Sequence, residues 1–111
     1  MKLNLLALLS ATLIISLNTF GQCEGRYVSE VFTDVTETPD ILYGNNNNWD
    51  GSNQDLELDF FEPTGDTMQA RPLVLLAHGG FFVGGSRKDG DISSLCEDYA
   101  KRGFACASMS Y

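Results

Sequence analysis

A histidine and a cluster of glycines directly follow a short apolar run in the middle of the chain, within residues 72–86. The run, Leu73–Ala77, is apolar at every position, which predicts a strand buried on both faces of a mostly parallel sheet. A glycine-rich break just beyond the carboxyl end of such a strand is where open α/β sheets bind ligands. Glycine lets the backbone approach a ligand closely, so main-chain N–H groups can converge on a developing negative charge. The segment therefore predicts an oxyanion-binding loop, and its conspicuous residues are His78, Gly79, Gly80, Gly84 and Gly85.

The five residues from His78 to Phe82, HGGFF, resemble the HGGG-type oxyanion loop of α/β-hydrolase esterases and lipases. The resemblance extends from about Ile41 to the end of the chain and includes LELDFFEPTGD, RPLVLLAHGG and LCEDYAKRGFACASMSY. It implies the amino-terminal part of an α/β-hydrolase fold: antiparallel first strands, then a strand, the oxyanion loop, a helix and another strand. One departure is Phe81, which stands where the third glycine of HGGG is expected. Since only the N–H of that position is needed, a side chain is tolerated there if the local φ is negative.

The resemblance also implies roles for the residues of the loop. The N–H groups of Gly80 and Phe81 would be two donors of the oxyanion hole, and a third would come from the residue after the nucleophile. The side chains of Phe81 and Phe82 would line the substrate pocket, although one of them could equally pack in a core. Loop support would come from His78, Gly79, Gly84 and Gly85. The alternative for the whole segment is a glycine-rich turn with no chemical role.

Ester hydrolysis in this fold needs a serine, an acid and a histidine, in that chain order. The closest approach to G-x-S-x-G surrounds Ser86, but Lys88 replaces its second glycine and the site lies within the oxyanion loop. His78 is the only histidine, and the resemblance makes it part of the loop, not the general base. We therefore expect the three catalytic residues beyond Tyr111, because a doubly wound hydrolase needs roughly twice this length to cover both faces of its sheet.

The function expected from the resemblance is that of a serine carboxylic-ester hydrolase acting on a small or polymeric ester, without a cofactor. A non-catalytic hydrolase-like binding protein and a peptidase of the same fold remain as alternatives. The net charge of −8 argues against nucleic acid as a partner, since an acidic surface repels phosphates. A metal site is not expected either, because one histidine and three scattered cysteines lack zinc-site spacing.

The amino terminus predicts export. Residues 1–21 combine Lys2, an apolar run and small residues ending at Gly21, which is typical of a signal peptide, so that residues 22–111 form the hydrolase portion. The apolar run is too short for a stable membrane anchor. A lipoprotein anchored at Cys23 is disfavoured, because Gln22 occupies a position where a small residue is expected. The expected location is secreted or periplasmic.

Several elements are predicted before the glycine loop. Residues 26–36 predict a first strand, and residues 45–53 predict a hairpin tip in which Trp49 either stacks on a sugar or aromatic ring or covers the end of the sheet. Residues 54–62 alternate between apolar and acidic side chains, which predicts a strand with one face in water. The predicted solvated carboxylates are Asp55, Glu57 and Asp59.

A helix and a buried strand are predicted after the loop. The apolar stripe of the helix consists of Ile92, Leu95, Cys96, Tyr99 and Ala100. Asp89 or Asp91 would be its N-cap and Gly103 its C′ glycine, and residues 104–111 would follow as a strand in a right-handed βαβ unit. Cys96 and Cys106 fall on this helix and strand, either as a disulfide or as two buried thiols.

Overall fold

The computed structural model describes residues 25–81 and 83–111, which form one mixed four-stranded sheet and one helix. In chain order the elements are β1 (Val35–Asn47), β2 (Asn53–Pro63), β3 (Leu73–Ala77), α1 (Gly90–Lys101) and β4 (Ala105–Met109). The order across the sheet is β1-β2-β4-β3, in which β1, β2 and β4 pair antiparallel and β3 pairs parallel to β4. An α/β architecture with a mixed sheet is thus confirmed. The predicted signal peptide, Cys23 and Phe82 lie outside the described residues.

The first strand begins later than predicted. Residues 25–34 form turns, and β1 starts only at Val35. The segment is held instead against the carboxyl end of α1: Tyr27 N–H donates to the carbonyl of Arg102 at 2.7 Å, and Val31 N–H donates to that of Lys101 at 2.9 Å. These donors pair carbonyls that the helix itself leaves unpaired, which explains why an alternating pattern here does not form a strand.

The acidic face of β2 is only partly solvated, so the prediction is wrong at Asp59. This carboxylate is 2% exposed, as is Phe61 two residues later. Phe60 and Phe61 are adjacent, so the apolar pattern changes face at this point of the strand. The buried carboxylate has a cationic partner, Arg87, which lies beyond the glycine loop.

The core lies between α1 and one face of the sheet. Its buried members are Phe61, Cys96, Ala100 and Cys106, packed against Val35, Val74, Leu76 and Tyr99. On the opposite face of β3, Leu73 and Leu75 are 55% and 59% exposed. The prediction that β3 is buried on both faces is therefore wrong for the part of the chain that the structure describes, where α1 covers one face alone.

The ends of α1 follow the predicted pattern. Asp89 is the N-cap, although its carboxylate accepts from Ser86 N–H at 2.9 Å and caps no N–H of the helix. At the other end Gly103 has φ +96° and donates its N–H to the carbonyl of Ala100 at 2.8 Å. A residue with a side chain would be strained at this φ, so glycine is the fitting residue for the helix end.

Cys96 and Cys106 connect α1 to β4 within the core. Both are free thiols with no solvent exposure, and their Sγ atoms lie 2.8 Å apart. Of the two alternatives for this pair, the structure has the buried thiols.

Candidate functional site

The glycine loop begins at the carboxyl end of β3, beside the carboxyl end of β4. Ala77 pairs with Met109 across the two parallel strands, so the residues that follow each strand meet at the same edge of the sheet. His78 and Tyr111 lie in contact there, with ring centroids 4.7 Å apart in a stacked arrangement. The Tyr111 hydroxyl donates to the carbonyl of His78 at 3.0 Å. The first residue of the loop is therefore held by the segment that follows β4.

The loop folds back on itself, and two of its glycines make this possible. Gly80 has φ +129°, and a Cβ atom at this position would overlap the carbonyl oxygen of Gly84. Gly85 has φ +90°, and a Cβ atom there would overlap the carbonyl oxygen of Gly79 and approach Nδ1 of His78. A Cβ atom at Gly79 or Gly84 would meet nothing within 4 Å. Backbone packs directly on backbone at 80 and 85, so only glycine fits these two positions.

His78 bonds to the loop it precedes. Its Nδ1 lies 2.8 Å from the carbonyl oxygen of Gly79, a group that can only accept, so Nδ1 carries a proton in this contact. The ring is therefore stacked on one side and bonded to the adjacent backbone.

Phe81 adopts the left-handed backbone conformation, with φ +54°. The negative φ expected for a side chain at this position is therefore not observed. Val83 N–H donates to the carbonyl of Gly80 at 3.1 Å, which closes a turn with Phe81 in it, and the Phe81 side chain is 94% exposed. A left-handed residue with a side chain costs about 1–2 kcal/mol. The turn therefore contains a strained residue whose phenyl ring lies in solvent.

Two N–H groups of this turn, those of Gly80 and Phe81, donate no hydrogen bond to any residue within 25–81 and 83–111. They are consecutive donors in a loop that is otherwise closed by its own backbone. Consecutive N–H groups of this kind form a concave site that attracts an anion or a partially charged oxygen.

A cavity of about 590 Å³ lies between the glycine loop and the β1–β2 hairpin tip. Trp49 and Asp50 form the hairpin side, and Val83, Gly84 and Gly85 form the loop side. Its other lining residues are Asn48, Gln54, His78, Ser86, Ser110 and Tyr111. Phe81, which was expected to line the substrate pocket, is not one of them. A small organic molecule fits a space of this size beside the loop.

Arg87 fixes the far end of the loop to the sheet, a role that the sequence pattern did not predict. Its Nε donates to Oδ1 of Asp59 at 3.1 Å, and its Nη2 donates to Oε2 of Glu57 at 2.8 Å and to Asp40. Nη1 donates to Ser110 Oγ at 3.2 Å. These partners belong to β1, β2 and the segment after β4, so one side chain joins the loop to three parts of the sheet.

The backbone around Arg87 completes this arrangement. Ser108 Oγ donates to the Arg87 carbonyl at 2.7 Å, and Asp40 N–H donates to Oδ1 of Asp59 at 2.9 Å. Hydrogen bonds from Lys88 and Arg87 lower the pKa of Asp40 below its ordinary value. Burial alone would lower the pKa of Arg87, but the carboxylates of Asp59 and Asp40 raise it. The two cations, Arg87 and Lys88, thus form ion pairs with the carboxylates of Asp40, Glu57 and Asp59. The sequence does show an arginine after the glycine loop and carboxylates within β2. The spacing of these residues along the chain does not predict that they form ion pairs.

A second ionic cluster lies at the other end of the sheet. The Asp66 carboxylate, 6% exposed, accepts from Arg26 and from Arg71 Nε at 2.7 Å, and Arg71 also bonds to Glu62 at 3.0 Å. The hydrogen bond from Arg26, opposed by burial and reinforced by Arg71, holds the pKa of Asp66 well below its usual range. This cluster ties the segment before β1 to the β2–β3 connection and is structural.

Within residues 25–81 and 83–111, no three His, Cys, Asp or Glu side chains are grouped so that they could hold a metal ion. No helix of the described chain is long and apolar enough to cross a membrane. In comparisons with known proteins, the chain matched no family model, no curated protein and no solved structure.

Proposed function

We propose that the chain is the front part of a secreted serine carboxylic-ester hydrolase, to which it contributes the oxyanion-hole loop. The observation that carries the proposal is the pair of consecutive N–H groups, those of Gly80 and Phe81, that lack an acceptor within the described residues at the carboxyl end of β3. The sheet order β1-β2-β4-β3, with an antiparallel start and a parallel β3–β4 pair, supports the α/β-hydrolase resemblance.

The proposed chemistry follows from where charge develops. When a serine attacks an ester carbonyl, the carbonyl oxygen becomes an oxyanion, and preorganised N–H donors stabilise this oxygen more than they stabilise the ground-state carbonyl. Gly80 and Phe81 would supply two such donors. The backbone packing at Gly80 and Gly85 keeps the donors in place before substrate arrives, so no reorganisation is needed as charge develops. The nucleophile, acid and base would come from further residues of the same protein.

The test removes the N–H of Phe81 and keeps its side chain. In the full-length protein, replacing Phe81 by phenyllactic acid through nonsense suppression turns one backbone amide into an ester. We expect kcat for a p-nitrophenyl ester to fall about 10²–10³-fold, the usual effect of losing one oxyanion donor. The matched control is Phe81→Gly, which keeps the N–H and should keep kcat.

Two results would contradict the proposal. Full-length protein that neither hydrolyses short esters nor becomes labelled by a fluorophosphonate would be a binding protein and not a serine hydrolase. An enzyme whose kcat is unchanged by the backbone ester would have its oxyanion hole elsewhere. Hydrolysis of peptide but not ester substrates would identify the peptidase alternative.

The location is tested separately. Exported protein should begin at or near Gln22 by mass spectrometry, which would identify residues 1–21 as a cleaved signal peptide. An amino terminus that retains Met1, or an acylated Cys23, would contradict it.

A further inference from the structure

We propose that the β1–β2 hairpin tip is a platform for a neutral sugar unit, so that the ester substrate is an acylated carbohydrate. This inference rests on the proposed function for the ester, but not for the binding of the sugar. It starts from Trp49, whose side chain is 99% exposed. A completely exposed indole is unusual in a folded protein, because tryptophan is ordinarily largely buried.

The tip that carries Trp49 is closed by several hydrogen bonds. Asn48 N–H donates to the carbonyl of Ser52 at 2.7 Å, and Gly51 N–H donates to the carbonyl of Asn48 at 2.9 Å. The hydroxyl of Ser52 donates to Oδ1 of Asp50 at 2.6 Å. The turn therefore presents the indole on a well-defined backbone, which lowers the entropy that binding would have to offset.

Trp49 also connects the hairpin to the glycine loop. It lines the cavity of about 590 Å³ that reaches Gly84 and Gly85, and a second cavity of about 380 Å³ that runs along the hairpin. A ring stacked on the indole would thus share the larger cavity with Gly84 and Gly85, which belong to the same loop as Gly80 and Phe81. An acyl group carried by that ring, or by a neighbouring unit of the same saccharide, would point toward the loop.

Amide groups accompany the indole on the same side of the hairpin. Gln54 lines both cavities, and its side-chain amide makes no hydrogen bond to any described residue. Asn46 lines the second cavity, and only its Oδ1 is engaged, by Asn47 N–H at 2.9 Å. An amide offers a donor and an acceptor side by side, which is the arrangement that matches neighbouring hydroxyls of a sugar.

The neighbouring asparagines differ in this respect. Asn45 Nδ2 donates to Asn53 Oδ1 at 2.7 Å, and Asn53 Nδ2 donates to Asn47 Oδ1 at 3.2 Å. These amides pair with one another across the two strands and stabilise the hairpin. Asn46, Asn47 and Asn48 all line the second cavity, and of their side-chain N–H₂ groups only that of Asn48 donates a hydrogen bond to a described residue.

The charge and polarity of the residues that line the cavity favour a neutral, polar ligand. Asp50 is the one side chain of fixed charge lining the larger cavity, and neither Lys nor Arg lines it among the described residues. Such a site disfavours anionic ligands. A purely aromatic ligand would stack on Trp49 but leave the amide of Gln54 desolvated and unpaired, which is unfavourable. A neutral sugar can stack on the indole and also form hydrogen bonds with the amide.

The experiment uses the fluorescence of Trp49, which is the only tryptophan in the 111 residues. The full-length protein is titrated with neutral xylo-, manno- and cello-hexaoses, and at least one should change the tryptophan emission in a saturable manner that Trp49→Ala abolishes. Gln54→Leu should weaken that binding about fivefold, the usual effect of one neutral hydrogen bond. The matched control is Gln69→Leu, an exposed glutamine that lines neither cavity, which should bind as wild type.

Binding by variants that lack Trp49 is measured by calorimetry, because these variants have lost the fluorescent side chain. Trp49→Ala should lose binding by at least about tenfold, while Trp49→Tyr retains part of it, because stacking needs an aromatic face. Both should unfold at the wild-type temperature, since the side chain is 99% exposed.

The inference is overturned if no neutral hexaose gives a saturable change, if a phenolic acid does so instead, or if Gln54→Leu binds as tightly as wild type. Its failure is distinct from failure of the proposed function. Full-length protein that hydrolyses p-nitrophenyl acetate but binds no saccharide refutes the sugar platform alone. Protein that binds saccharide but hydrolyses no ester refutes the hydrolase alone and leaves the platform in place.

Discussion

The guanidinium Nε of Arg87 lies 3.1 Å from Oδ1 of Asp59, a carboxylate that is 2% exposed. Arg87→Met would leave this carboxylate buried without its cation, and removing one partner of a buried ion pair typically costs about 3–5 kcal/mol. We expect a loss of this order in the free energy of unfolding, measured by urea denaturation. The double variant Arg87→Met/Asp59→Asn should recover part of it.

Lys88→Met is the control for this experiment, since Lys88 pairs with Asp40 at 2.7 Å but about half of each side chain is exposed. It should change stability little. Equal effects of the two substitutions would contradict a special role for the buried pair.

The two glycines at which backbone meets backbone should not tolerate a methyl group. Gly80→Ala and Gly85→Ala would each place a Cβ on a carbonyl oxygen at a positive φ, which we expect to cost about 2 kcal/mol or more in unfolding free energy. Gly79→Ala and Gly84→Ala should be nearly neutral, because their added methyl groups meet nothing within 4 Å. Thermal unfolding of the four variants distinguishes the pairs, and a uniform result would mean that the loop does not fold back in this way.

Phe81 should be a strained residue in the wild-type protein. Phe81→Gly removes a side chain from a backbone at φ +54° and should raise the unfolding free energy by about 1 kcal/mol. Val83→Gly offers the contrast, because Val83 is also exposed, at 92%, but is not among the residues of positive φ. It should lower stability by about 0.5–1 kcal/mol through the added freedom of the unfolded chain. A Phe81→Gly variant less stable than wild type would contradict the strain at this residue.

Asp66 should make stability depend on acid pH. Its pKa in the folded protein lies below the ordinary 3.8, so its ionic contribution is fully present above that value and is lost as the pH falls below it. The urea midpoints of wild type and Asp66→Asn should therefore differ most near neutral pH and converge at pH values below about 4. Since Arg26 is the main cause of the shift, Arg26→Met should reduce this pH dependence. Midpoints that stay parallel through the acid range would contradict the assignment.

The Cys96 and Cys106 thiols should be unreactive until the protein unfolds. Both have no solvent exposure, so a thiol reagent cannot reach either sulfur in the folded protein, although the hydrogen bond between them raises the pKa of Cys96 and lowers that of Cys106. In a Cys23→Ser background, Ellman's reagent should titrate no thiol in native protein and two after denaturation. Two thiols reacting at the rate of free cysteine in the native state would contradict the burial, and none after denaturation would indicate a disulfide.

The elements nearest the site were the most predictable from sequence. The bounds of β3 follow from a wholly apolar run that stops at His78, and the end of α1 follows from Gly103. The face on which Asp59 lies was not predictable, because its burial depends on a cation 28 positions away in sequence. Within the loop, the sequence indicates a glycine cluster, but which glycines are obligatory depends on how the loop folds back, and that is a property of the assembled backbone.

The strand order also determines when the site can form. β4 lies between β2 and β3 but follows both in sequence, so β3 has no strand to pair with in the described sheet until the ribosome has made β4. The β1–β2 hairpin depends on contacts between neighbouring segments and can form early during synthesis. The glycine loop can be fixed only after Ser110 and Tyr111 have been made, because Ser110 bonds to Arg87 and Tyr111 bonds to His78. During translation the hairpin tip that carries Trp49 would therefore form before the glycine loop is in place.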